Sequence, residues 1–458
     1  MVLQSGILFR LSTRTGVRRC CRFVQTASVS ASVRPHTEPL RSPRRQGVFP
    51  VHEAVLTQIR CDILSKDTYR GRVIDHRKTY KELLKRKLSI SNQSVSSATR
   101  QLEGLTEQEL VDFVQGLAHS ALSKETLDTD SSFLQLVENE CCSRAKNWDS
   151  AVMLLVADAF FVLHYLCSRY LSVMFREFEH RWMSMVIKKE DVVQLATCII
   201  MGRKFPLLLV RNIEQFLSSD VEEFSAGELS VICLAFFITN TSFGSVDAME
   251  KLANTVLHSL PSGTLKLYQM GSILKALRHA HFEKISFYDN LGCSLSSSTV
   301  LQQESTLSDL SNIAFTYASL RISSQMLFAS ISSHAVRLIQ NQSRMRVKDI
   351  GRLVWSFALL QEPLDEAVQN QLLFILRRDA HLMEQFSEAF TEALLGLAMQ
   401  KTYPLDMLQQ LFSTKFPKQK HGMVNFSVCM VLCCTTVISV CNLFIIIYIA
   451  VCHTPVIG

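Results

Sequence analysis

The sequence predicts an all-α fold. It is an α-solenoid of about eight helix-turn-helix repeats of about 40 residues, with a C-terminal apolar helix after it. Three observations predict this. The helical pattern of Asp309–Leu320 returns at Asp349–Leu360 and precedes itself at Gln269. A column of small residues recurs at nearly the same spacing. The composition suits helices with a large core: 48% of the 458 residues are hydrophobic, Gly and Pro are scarce, and no alternating strand pattern occurs.

Taking Asp309 as an anchor, the equivalent positions are Glu109, Ser150, Asp191, Glu228, Gln269, Asp309, Asp349 and Ala389. Seven residues after each anchor stand Gly116, Ala157, Cys198, Ala235, Ala276, Thr316, Ser356 and Gly396, where a neighbouring helix can approach closely. Offsets of one, four and eight share a helical face and are apolar, as in Leu310, Ile313 and Tyr317. Asp158, at offset eight of the second repeat, breaks that column. Thr106/Glu109, Ser225/Glu228 and Thr306/Asp309 have the spacing of capping boxes, and acidic anchors suit the positive end of the helix dipole. Second helices are expected over 205–217, 246–260, 326–339 and 367–376. Ser294–Thr306 reads as a Ser-rich loop.

Residues 1–45 carry nine Arg, no Lys and one acidic residue, Glu38. They have the composition of a mitochondrial transit peptide. They supply +8 against a chain total of +7, so residues 46–458 sum to about −1. The basic character is therefore mostly that of the leader. Residues 46–103 form a basic N-terminal region and linker. Lys78, Lys81 and Lys85 lie there in a basic, Tyr-containing stretch that can pair with phosphates. Residues 104–415 hold the repeats, and 416–458 form a hydrophobic tail. Within it Val424–Cys452 is 29 residues without a charged side chain, a candidate transmembrane helix flanked by Lys415, Lys418 and Lys420.

No Gly-rich phosphate loop, HRD/DFG pair, HExxH or GxSxG occurs, and the cysteines have no metal-ligand spacing. The reading is therefore non-enzymatic, with no cofactor, no metal and no small-molecule substrate. Its 14 cysteines read as free thiols.

At Val347–Leu360 the sequence resembles the first subdomain of the FAST kinase domain-containing family, over residues 346–415. Its signature is matched by Lys348, Asp349, Ile350, Leu353, Val354, Trp355, Ser356, Phe357 and Leu360. The resemblance covers roughly 104–415. It gives Asp349, Trp355, Ser356 and Phe357 a structural role. It implies a mitochondrial protein of matrix RNA granules that acts in processing, maturation or stability of mitochondrial mRNAs, with mitochondrial RNA and granule proteins as partners. Family members continue into a second FAST subdomain and a RAP domain. This chain runs into its apolar tail instead, and is expected to be a truncated relative.

Helical-repeat RNA readers contact successive bases from fixed positions of each repeat. Three residues after the anchor the column varies and is often polar, and Gln194, Ser272, Asn312 and Arg352 are its candidate RNA-binding residues. The competing reading is a protein-binding helical-repeat scaffold, membrane-anchored through contact at 424–452 near the inner membrane.

Overall fold

The computed structural model describes residues 53–74, 95–122, 131–297, 300–303, 305–341 and 345–413. Among these the secondary structure is helical throughout. The transit-peptide segment, Lys78, Lys81, Lys85 and the apolar tail lie outside the described residues. Among the described residues no helix is long and apolar enough to cross a membrane.

The helices form two compact units, one within 41–304 and one within 305–458. In the first, α1 (Glu53–Ile59) and α2 (Val95–Glu103) precede five helix pairs. The pairs are α3 (Glu107–Leu122) with α4 (Ser131–Arg144), α5 (Ser150–Val162) with α6 (Ser168–Arg181), and α7 (Lys189–Gly202) with α8 (Leu207–Asp220). Then come α9 (Ala226–Ile238) with α10 (Val246–Ser259), and α11 (Leu267–His279) with α12 (Ile285–Ser297). A short α13 (Val300–Gln303) follows, so the expected Ser-rich loop is in good part helical. The second unit holds α14 (Leu307–Leu320) with α15 (Gln325–Asn341), α16 (Val347–Leu360) with α17 (Glu366–Arg378), and α18 (Ser387–Met399) with α19 (Leu405–Ser413). Within each unit first helices pack on first helices and second helices on second helices, giving two layers. This is the helical-repeat architecture that the spacing predicts.

Local chemistry sets both ends of the first helices. The Thr106/Glu109, Ser225/Glu228 and Thr306/Asp309 capping boxes all form. Asp191 accepts from the Lys188 backbone N–H at 2.9 Å, and Gln269 from that of Lys266 at 3.1 Å. Anchor side chains thus satisfy N–H groups that a helix start would leave open. At the other end a left-handed residue recurs: His164, Arg203, Asn240, His281, Arg321, Gln361 and Lys401 all have positive φ, and none is glycine. In six of them the following N–H closes a wide turn, as Ile322 N–H does onto the Tyr317 carbonyl.

These two ends correct the register of the second repeat. Its N-cap is Asp149, which accepts from Val152 N–H, and its left-handed residue is His164. The anchor is therefore Val152, not Ser150. Offset seven becomes Ala159 and offset eight becomes Phe160, both fully buried. Phe160 packs on Tyr165 and Tyr170 with ring centroids 5.7 and 5.8 Å apart. The core column is unbroken, and Asp158 falls at offset six, on the side of α5 opposite the second-helix layer.

In the second unit two glycines mark close backbone approach between neighbouring first helices. A Cβ on Gly396 would stand 2.9 Å from the Trp355 backbone nitrogen, and one on Gly351 would stand 2.6 Å from the Ala389 carbonyl oxygen. Backbone must shift to accept either. Gly351→Ala is expected to lower stability by about 1–3 kcal/mol through overpacking, opposed by up to about 1 kcal/mol of gained helix propensity. Native-state hydrogen exchange of α16 and α18 checks it, and unchanged or raised protection would contradict the contact.

Residues 53–74 lie as a strap across the exposed side of the first helices of their own unit. Asp62 accepts a hydrogen bond from Tyr268 and pairs with Lys266 at 3.4 Å. Ile63 fills the space beside Gly227, where a Cβ would stand 2.8 Å from Ile63 Cδ1. The fully buried Tyr69 donates to Glu228 Oε1 at 2.8 Å. Arg72 pairs with Asp191, and its carbonyl accepts from Gln194 Nε2 at 2.7 Å. Asp158 accepts from Ile74 N–H at 2.8 Å and from Arg60 Nη2 at 3.0 Å. Burial first, then the Glu228 carboxylate, holds the Tyr69 phenol far above its usual range.

Candidate nucleic-acid interface

The offset-three column does not form one exposed row. Gln194, Ser272 and Asn312 are buried, with 3%, 8% and 6% of their surface accessible. Each is engaged within the chain. Gln194 lies under the strap, Ser272 donates to the Tyr268 carbonyl at 3.1 Å, and Asn312 Nδ2 donates to the Ser308 carbonyl at 2.6 Å. The reason is lateral packing. A first helix is flanked by first helices on both sides, so a side chain off the core face can still be covered. Arg352 is half-buried.

Of the four, only Asn312 and Arg352 meet. Arg352 Nη1 donates to Asn312 Oδ1 at 3.2 Å, joining α16 to α14. Its guanidinium also lies over the Phe315 ring, 5.4 Å from the centroid. Lys348, one residue before the anchor of α16, is exposed, and Trp355, at offset six, is partly exposed. Offsets −1, three and six share one side of a helix. Lys348, Arg352, Phe315 and Trp355 thus line the outer side of α14 and α16.

Two neighbours tune this patch. Arg346, which is exposed, grips Asp349 through two hydrogen bonds of 2.8 and 3.0 Å and reaches Ser308 Oγ at 2.8 Å. Glu392 on α18 has its carboxyl raised above the usual range, by burial first and with Glu388 adding. Burial, then the Arg352 cation, lowers the Lys348 ammonium. Lys348 and Arg352 put two cations on one side, where an incoming anion can pair with them, while Glu392 opposes it. An aromatic plane next to a guanidinium can stack an unpaired base. The sequence pointed to Arg352 but not to Lys348, Arg346 or Phe315. A usable signal was present, since offsets −1 and six lie on the same side as offset three.

The signature residues Asp349, Ser356 and Phe357 are buried and do packing work. Asp349 is held by Arg346, Ser356 Oγ donates to the Arg352 carbonyl at 2.5 Å, and Phe357 packs edge-on to Phe328 at 4.8 Å. Among the described residues the cysteines are free, and no group of three His, Cys, Asp or Glu side chains could hold a metal. Burial raises the Cys142 thiol to about 11 and pushes those of Cys141 and Cys167 well up.

No family model matches the chain. It is similar to FAST kinase domain-containing protein 5, mitochondrial, from Macaca fascicularis, with 22% identity over 300 residues, 65% of this chain and 38% of that protein. The same protein from Mus musculus is 23% identical over 291 residues, covering 63% of this chain and 36% of its own length. That from Homo sapiens is 22% identical over 299 residues, 64% and 37% of the two chains. The chain matches well under half the length of these relatives. Signature residues, repeat architecture and these similarities agree: the chain is related to the FAST kinase domain-containing proteins.

Proposed function

We propose that this is a mitochondrial RNA-binding protein whose outer α14–α16 side holds single-stranded RNA without catalysis. The observation that carries the reading is the joint placement of Lys348, Arg352, Phe315 and Trp355 on one side of two adjacent helices. The mitochondrial part rests on the similarity to mitochondrial proteins and on the Arg-rich first 45 residues. Action on mitochondrial transcripts within RNA granules is the finer form of the same proposal.

The test is fluorescence anisotropy of a labelled single-stranded RNA across a salt series. Lys348→Ala with Arg352→Ala is expected to weaken binding at least tenfold. Each removed phosphate contact should flatten the log–log salt slope by about 0.7. Trp355→Ala should weaken it without changing that slope, by about 1–3 kcal/mol if a base stacks there. Glu392→Gln should strengthen it, because it removes a negative charge from the patch. Unchanged affinity in both the double variant and Trp355→Ala would place RNA elsewhere or remove it.

A further inference from the structure

The strap poses a question that RNA binding does not answer. The outer side of the first unit carries Asp158, Asp191 and Glu228, one from each of three successive first helices. Such a row repels phosphates. It is nonetheless filled, and by a segment of matching chemistry. Arg60 meets Asp158, Tyr69 meets Glu228 and Arg72 meets Asp191. Gly227 lacks the Cβ that would collide with Ile63. The seat also recognises backbone, since Asp158 accepts from Ile74 N–H and Gln194 donates to the Arg72 carbonyl. Side chains spaced for charge, a tyrosine hydroxyl and main-chain groups are what a helical-repeat groove uses to hold a peptide.

We propose that this side of the first unit is a recognition groove for a cationic, tyrosine-bearing protein segment, which residues 53–74 occupy in cis and a partner segment of like pattern occupies in exchange. Two observations favour exchange over a permanent fit. The Glu228 carboxylate is held below its usual range even though burial pushes it up, because Ser225, Tyr69 and Lys189 outweigh that burial. Ser225 and Lys189 belong to the seat and not to the strap, so their contributions remain when the segment is exchanged. Gln194 Oε1, a buried atom of the seat, has no hydrogen-bond partner among the described residues, so the resident segment does not use every group of its seat.

The groove is tested with a fluorescein-labelled peptide of residues 53–74 added to the full chain. Wild type should bind it weakly, because the resident strap competes at high effective concentration. Tyr69→Ala with Arg72→Ala weakens the resident and should raise binding of the added peptide at least tenfold. Placing Asp191→Asn and Glu228→Gln in that background should abolish the gain. Tyr69→Phe keeps the buried ring and loses only the hydroxyl, and should raise binding about threefold. It decides the matter if the double variant proves unfolded by circular dichroism. No gain in a folded variant overturns the proposal. So does a gain that persists with a peptide lacking both Tyr69 and Arg72, or a strap-weakened chain that acquires RNA binding at this face instead.

Discussion

Phe357→Ala is expected to destabilise the second unit by about 3–5 kcal/mol, the usual cost of emptying a fully buried phenylalanine site. Phe357 is completely buried and closes a line of rings. Phe328 packs edge-on to it at 4.8 Å and to Tyr317 at 6.4 Å. These three come from α14, α15 and α16, so the ring bridges the two layers and two consecutive repeats. Its carbonyl also accepts from Glu362 N–H at 3.0 Å in the turn after α16. Loss of the ring should loosen that turn as well as the core. Because the chain holds two compact units, a single melting midpoint would mix their transitions. Hydrogen exchange read separately for α14–α16 and for α7–α9 resolves them. Protection should fall in the first set and hold in the second. A loss below about 1 kcal/mol would mean that the site collapses around the gap, against the rigid packing inferred from the ring geometry.

Arg60→Ala should cost the first unit up to about 3–5 kcal/mol, because removing one partner of a buried pair strands the other charge. Asp158 and Arg60 side chains are only 9% and 12% accessible. The geometry also sets a ceiling. Asp158 faces the strap, so once the strap lifts the carboxylate regains water. The cost cannot then exceed the free energy with which the strap docks. Arg60→Ala and Tyr69→Ala should therefore be markedly less than additive when combined, since either change alone can release the segment. Denaturant titration of the single and double variants measures this. Simple additivity would show that the strap is an integral layer that does not lift as one piece.

Much of the fold was legible from spacing. The anchors at Glu109, Asp191, Glu228, Gln269, Asp309, Asp349 and Ala389 each stand in the first turn of a first helix, as the repeat requires. Capping explains five of them. The side chains of Glu109, Asp191, Glu228, Gln269 and Asp309 bond back to the N-cap backbone, a local interaction that needs no knowledge of the rest of the chain. Where the local signal is weak, spacing alone misplaces the register. Asp149 caps the second repeat without a reciprocal partner, and the periodicity settled two residues early, turning Asp158 into an apparent core defect. The recurring left-handed residue would have corrected it, but Arg203, His281, Arg321 and Gln361 do not announce that conformation as glycine does.

The candidate site was less legible. Arg352 was found because its column is polar, and Gln194 and Asn312 were placed beside it for the same reason. They are buried by neighbours that sequence spacing does not reveal: the strap over Gln194, and the Arg352 side chain beside Asn312. Lys348, Phe315 and Trp355 become a patch only when α14 and α16 are set side by side.

By itself the sequence determined the helical-repeat class, the pairing of helices, the small packing column and the relationship to the FAST kinase domain-containing proteins. All of these rest on periodicity, caps and a local signature. Only the tertiary structure decided which polar columns face solvent, and that an acidic side is filled by the chain's own residues 53–74. The physical reason is that exposure depends on what packs against a helix, and here a deciding neighbour comes from about 80 to 210 residues away in sequence.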